Sequence, residues 1–94
     1  MAVKWLSVAL ENMQAIAEYI AQDSPDRAVT FVQEIRRKTN ALADFPGVGR
    51  VGRVFGTREL VAHKNYVIAY RMKGQNIEIV RVRHARQKHS QKIE

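Results

Sequence analysis

Cysteine is absent from the 94-residue chain, which excludes disulfide staples and thiolate metal sites and fits a reducing cytoplasm. Long apolar runs are lacking too. None approaches the roughly 18 residues of a membrane span, so no transmembrane segment is expected. The opening stretch, Met1 to Met13, has no extended apolar core and already includes Glu11, which argues against a signal peptide. Proline occurs only twice, and four of the five glycines fall between Gly47 and Gly56. Breakers are therefore concentrated in one loop, and the rest of the chain is free to form regular elements.

Negative charge is scarce, and unevenly so. Residues 1–47 carry five Lys/Arg against six Asp/Glu, a net of −1; residues 48–94 carry eleven against three, a net of +8. The overall charge of +7 thus resides in the second half. A field concentrated in this way marks a nucleic-acid, phosphate or acidic-protein partner and exceeds what solubility requires. With 46% hydrophobic and 27% charged residues the composition is globular, and a chain of this length supports one modest core. A single domain over residues 1–94 is expected.

What the sequence does contain is helical periodicity followed by strand alternation. Residues 2–6 read as a short strand, after which Ser7 is placed to cap a helix. Leu10, Met13, Ile16, Ala17 and Ile20 recur at three- and four-residue spacing, and this helix should end near Gln22. Ser24 and Pro25 restart the helix as cap and first-turn residue. Ala28, Phe31, Val32, Ile35 and Leu42 carry it to about Asp44, where Phe45-Pro46-Gly47 stops it. Two amphipathic helices with a short break form an antiparallel hairpin whose apolar faces need a sheet. Beyond the glycine-rich loop, with a short strand expected at Arg53–Phe55, come strands at Thr57–His63, Tyr66–Met72 and Ile77–His84. Their turns are Lys64-Asn65 and Lys73 to Asn76. The tail from Ala85 is polar and expected to fray. The fold class is α+β in the order β-α-α-β-β-β, with the helical hairpin packed on an antiparallel sheet.

Alternation sorts side chains by face. In the last strand Ile77, Ile79, Arg81 and Arg83 should point one way, and Glu78, Val80, Val82 and His84 the other. In the middle strand Tyr66, Ile68, Tyr70 and Met72 oppose Val67, Ala69 and Arg71. In the first, Arg58, Leu60 and Ala62 oppose Thr57, Glu59, Val61 and His63. One face should cover the helices, leaving the other to display arginines, a histidine and a tyrosine. Arginine's planar fork suits phosphate, and aromatics among cations stack on bases. His63, His84 and His89 lack metal-ligand spacing. Gly47-x-Gly49 with Gly52 follows a helix and lacks the Gly-Lys-Ser/Thr ending of a phosphate loop. Ser7, Ser24 and Ser90 have no base fixed by any motif. Neither a metal nor a cofactor is called for.

Several stretches, in order, resemble the RelE/ParE superfamily of toxins from bacterial toxin–antitoxin pairs. They are Ser24-Pro25-x-x-Ala28, Leu42-x-x-Phe45-Pro46-x-x-Gly49-Arg50, Gly56-Thr57-Arg58-Glu59-Leu60, Asn65-Tyr66-Val67-Ile68-x-Tyr70-Arg71 and Ile77-x-Ile79-Val80-x-Val82-x-His84-Ala85-Arg86-Gln87. The element order deduced above is similar to the fold of that superfamily.

The resemblance implies a cytoplasmic toxin of a type II module, held in a hetero-oligomer by an acidic antitoxin. RelE-like members cleave mRNA on the ribosome, whereas ParE-like members act on DNA gyrase and need no nuclease residues. Cleavage through a 2′-hydroxyl needs a base, an acid and cations around the phosphate. His84, Arg86, Arg58 and Arg81 are the candidates here. Yet Glu59 stands where a RelE-like lysine is expected and Val67 where an arginine is expected, and Arg58-Glu59-Leu60 and His84-Ala85-Arg86-Gln87 look closer to ParE. The ParE-like reading is favoured, with Arg50, Arg58, Tyr70, Arg71, Arg81, His84 and Arg86 as candidate target-binding residues. The alternatives are the ribosome-dependent endoribonuclease, with ribosome and mRNA as partners, and a non-toxic interaction module.

Overall fold

The computed structural model describes residues 1–62 and 65–86. Expectations for His63, Lys64, Gln87, His89 and the rest of the tail lie outside the described residues. Strand β1 (Ala2–Trp5) leads into α1 (Ser7–Asp23) and α2 (Pro25–Ala41), followed by β2 (Arg50–Val51), β3 (Arg58–Ala62), β4 (Tyr66–Lys73) and β5 (Asn76–His84). One five-stranded sheet forms in the order β1-β5-β4-β3-β2. The last four strands pair antiparallel, but β1 lies parallel to β5, so the sheet is mixed. No helix among the described residues is long and apolar enough to cross a membrane.

Local chemistry explains where the helices start and stop. Ser24 alone separates them: its N–H donates to the Ile20 carbonyl at 2.9 Å, closing α1, and its hydroxyl accepts the Arg27 N–H at 3.3 Å, opening α2. Pro25 follows in the first turn, where a missing N–H leaves no bond unmade. Two expectations are corrected at helix ends. Leu6, not Ser7, caps α1, and it does so with its backbone alone, because Ser7 already lies within the helix. The second helix ends at Ala41 rather than Asp44. Tighter bonds from Leu42 to Thr39, Ala43 to Asn40 and Asp44 to Ala41 take over there, turning the chain before Pro46. The strand expected at Arg53–Phe55 is also displaced. Pairing occurs at Arg50–Val51, opposite Glu59 and Arg58, and residues 52–57 form the hairpin loop.

The helices cover one side of the sheet. Phe31 and Ile35 of α2 and Ala9 and Met13 of α1 pack with Ala62, Ile68, Tyr70, Ile77, Ile79 and Val82, and Trp5 and Leu60 join from the edges. Phe31 and Tyr66 meet edge to face with ring centroids 5.0 Å apart. Thr39, fully buried among them, satisfies its hydroxyl on the Ile35 and Arg36 carbonyls one turn back.

One irregularity decides what the other side of the sheet displays. Ala69 pairs with Arg81, but Tyr70 pairs with Ile79, leaving Val80 as an extra residue in β5. Such a bulge reverses side-chain parity along the strand. Ile77 and Ile79 therefore share the helix side with Val82 and His84, while Glu78, Arg81 and Arg83 face away. Strict alternation predicted the opposite grouping beyond Ile79, and the structure corrects it. The Val82 N–H, beside the bulge, donates to Asn12 Oδ1 of α1 at 3.1 Å.

Candidate functional site

On the helix side, Tyr70 and Arg58 hold the loop that links α2 to β2. The Tyr70 ring is fully buried; its hydroxyl donates to the Pro46 carbonyl at 2.8 Å and accepts the Gly49 N–H at 2.9 Å. The passage is tight enough to require glycine. A Cβ on Gly49 would lie 2.7 Å from the Tyr70 hydroxyl and 2.8 Å from the Glu59 carbonyl. Arg58 Nη1 donates to the Gly49 carbonyl at 2.6 Å and reaches the Gly47 carbonyl at 3.4 Å. The expectation that Tyr70 faces a partner is corrected: its ring is interior and both polar functions of its hydroxyl are engaged.

The open side is organised around a carboxylate. Glu59, only 5% exposed, accepts from Arg50 Nη2 at 3.3 Å and from the Arg53 backbone N–H at 3.4 Å, and Arg83 Nη2 approaches to 3.6 Å. Burial pushes the Glu59 carboxyl up. The Arg53 N–H, the Arg50 hydrogen bond and the Arg83 and Arg50 charges outweigh it, holding the group below its ordinary value and ionised. Next to this network Arg71 is bonded to Glu78 at 2.8 Å. Arg81 is exposed and makes no ion pair among the described residues.

His84 lies at the end of β5 on the helix side. Its ring meets Tyr66 edge to face at 5.0 Å, and Nδ1 accepts the Arg86 N–H at 3.0 Å. Ala15, Ile16 and Tyr19 of α1 complete the small hollow around these two rings. Arg86 is exposed in the turn beyond the strand.

The seven candidate residues therefore do not form one face. Arg50, Arg71 and Arg81 share the open side, Arg58, Tyr70 and His84 the helix side, and Arg86 the turn past β5. No three His, Cys, Asp or Glu side chains among the described residues gather into a metal site. Alternation alone missed Arg83, Asn12 and the role of Glu59. For Glu59 a signal existed: it is the only acid between Asp44 and Glu78, in a stretch with four arginines from Arg50 to Arg71. A half-buried strand could place it only against those cations. Also unanticipated is the β2–β3 hairpin loop, whose tip presents a fully exposed Phe55.

Comparison with known proteins gives a consistent picture. A family model described as the ParE toxin of the type II toxin–antitoxin system parDE matches residues 3–89. Y4kP of Sinorhizobium fredii, named as a toxin candidate, is 42% identical over 86 residues, covering 90% of this chain and 88% of its own. Toxin RelE2 of Caulobacter vibrioides is 37% identical over 83 residues, covering 88% and 93%. A solved chain from the chromosomal ParDE toxin–antitoxin system of P. aeruginosa superposes with a TM-score of 0.79 at 30% identity, over 89% of this chain and 95% of that one.

Proposed function

The chain belongs to the ParE toxin family of type II toxin–antitoxin systems, and on that footing we propose that it arrests growth by binding DNA gyrase, without nuclease chemistry, until a cognate acidic antitoxin neutralises it. The observation that carries this reading is the dispersal of the cleavage candidates. In-line attack by a 2′-hydroxyl needs base, acid and cations converging on one phosphate. On the helix side Arg58 is aligned with Tyr70 and His84 with Tyr66, four residues apart along β4; Arg86 adjoins His84 past the strand end, and Arg81 is on the open side. The centre of the open side is an ionised Glu59, which repels a phosphate. Arg50 and Arg71 there already have carboxylate partners.

A protein surface, unlike a single phosphate, can be met by arginines spread over several patches. Arg50, Arg71, Arg81 and Arg86 are the residues proposed to touch the target or the antitoxin, in the cytoplasm where both would be found. The solved ParDE system of P. aeruginosa supports an antitoxin partner and a hetero-oligomeric complex.

The test pairs two assays on the antitoxin-free protein. Inhibition of gyrase supercoiling, with cell-free translation intact, is the expected result. Codon-positioned mRNA breaks with unimpeded gyrase would instead establish the endoribonuclease reading, and His84→Ala and Arg86→Ala would then abolish them.

A further inference from the structure

Among the described residues of the basic half, the hairpin between β2 and β3 carries the two most exposed large apolar side chains, and the residues around it are selective in kind. Phe55 is fully exposed at the tip, Val51 is 79% exposed on the strand leading to it, and Val54 and Met72 are each about half exposed. Arg53, Arg58 and Arg71 line the same open groove, with no lysine and no acid among its lining residues. An aromatic residue, a methionine and arginines, with lysine and acids depleted, is the composition of a buried protein–protein contact rather than of a solvated loop.

The projection is also held in shape before any partner arrives. The Gly52 N–H donates to the Thr57 carbonyl at 2.8 Å, and the Thr57 N–H and hydroxyl both donate to the Val54 carbonyl, at 3.1 and 2.7 Å. Gly56 takes φ +86°, a conformation that suits glycine. Arg53 and Arg58 tie the two ends of the loop to Glu59 and Gly49. A bulky ring displayed on a pinned turn has little ordering entropy left to lose on binding.

From this we infer that the Phe55 hairpin is a target-docking knob, received by an apolar pocket with an acidic rim on a folded protein. The inference deepens the proposed function by assigning target contact to a definite element, and it rests on the chain acting on a protein target. Shape and charge select the occupant. A knob needs a concavity in its partner, and a lone extended segment or helix presents a convex surface that suits grooves instead. Arg53 and Arg58, which make no ion pair among the described residues, call for carboxylates opposite. A second copy would bring like charge against like. A nucleic acid would find aliphatic Val51, Val54 and Met72 around the ring, which offer neither a stacking face to a base nor a charge to a phosphate.

The experiment compares the full chain with Phe55→Ser and Arg53→Ala, each purified through co-expression with the antitoxin. Six readings are taken: growth arrest on induction without antitoxin, gyrase inhibition, antitoxin affinity by calorimetry, binding to duplex and single-stranded oligonucleotides, self-association by sedimentation, and the thermal midpoint. Phe55→Ser should weaken gyrase inhibition at least about thirtyfold and relieve growth arrest, and Arg53→Ala should weaken inhibition roughly fivefold. Antitoxin affinity should stay within about twofold, and the thermal midpoint within roughly 3 °C, because the ring is exposed. Undiminished growth arrest by Phe55→Ser overturns the inference. So does a loss confined to antitoxin affinity, to self-association or to oligonucleotide binding. A wild-type chain that arrests growth but spares gyrase overturns the gyrase reading alone; relief of that arrest by Phe55→Ser would still support the knob.

Discussion

The two sides of the sheet both close their centres to solvent, by different physics. On the helix side Phe31 and Ile35 lie over Ile68, Tyr70, Ile77 and Ile79, and closure comes from apolar area removed from water. On the open side Glu59 is closed by Arg50, Arg83 and a backbone N–H. The first kind of closure is indifferent to proton concentration; the second depends on one carboxylate staying ionised. An open face held by charge can remain polar and available to a charged partner, which an apolar layer could not.

Breaking the helix side should have the largest effect. Phe31→Ala removes a fully buried ring and is expected to cost about 3–5 kcal/mol in urea unfolding, with the same loss throughout the neutral range. Glu59→Gln attacks the open side and should cost about 2 kcal/mol at neutral pH, since Arg83 and Arg50 lose their counter-charge. Its pH dependence distinguishes the two sides. The folded carboxyl sits below its ordinary value, so its contribution is complete above the unfolded value and is lost as pH falls through the folded one. The gap between wild type and Glu59→Gln should therefore narrow on acidification; a gap constant with pH would mean that the network contributes packing rather than charge.

Smaller effects sharpen the contrast. Tyr70→Phe keeps the ring but leaves the Gly49 N–H and the Pro46 carbonyl without their partner, at about 1–2 kcal/mol. Faster amide exchange at Gly49 with unchanged exchange in β5 would show that the hydroxyl pins the loop rather than the sheet. Arg37→Ala removes an exposed helix pair with Glu34 and should change stability by less than about 0.5 kcal/mol.

Much of this was legible beforehand. The element order, the Ser24-Pro25 break and the faces of β3 and β4 follow from periodicities that local sterics enforce. The face of β5 beyond Ile79 was not legible, because the bulge at Val80 exists only in the pairing with β4. Ile79-Val80 in succession breaks alternation, yet a doubly buried strand reads the same way. That one residue places His84 on the helix side and Arg81 and Arg83 on the open side, so alternation, which fits the faces of β3 and β4, misassigns β5 beyond Ile79. Asn12 was hidden for a similar reason: a polar residue on an amphipathic helix reads as solvated until a strand offers it an N–H.

The parallel pairing of β1 with β5 also has a consequence for when the molecule comes into being. Ala2 is matched to Asn76, and β5 stands between β1 and β4, so β1, synthesised before β5, is without its neighbour until β5 has emerged from the ribosome. Closing so long a loop comes late in folding. A chain whose β5 has not yet emerged has its helices but only an incomplete sheet beneath them. Synthesis therefore sets a delay before a working surface appears, an interval in which an antitoxin already in the cell can be waiting.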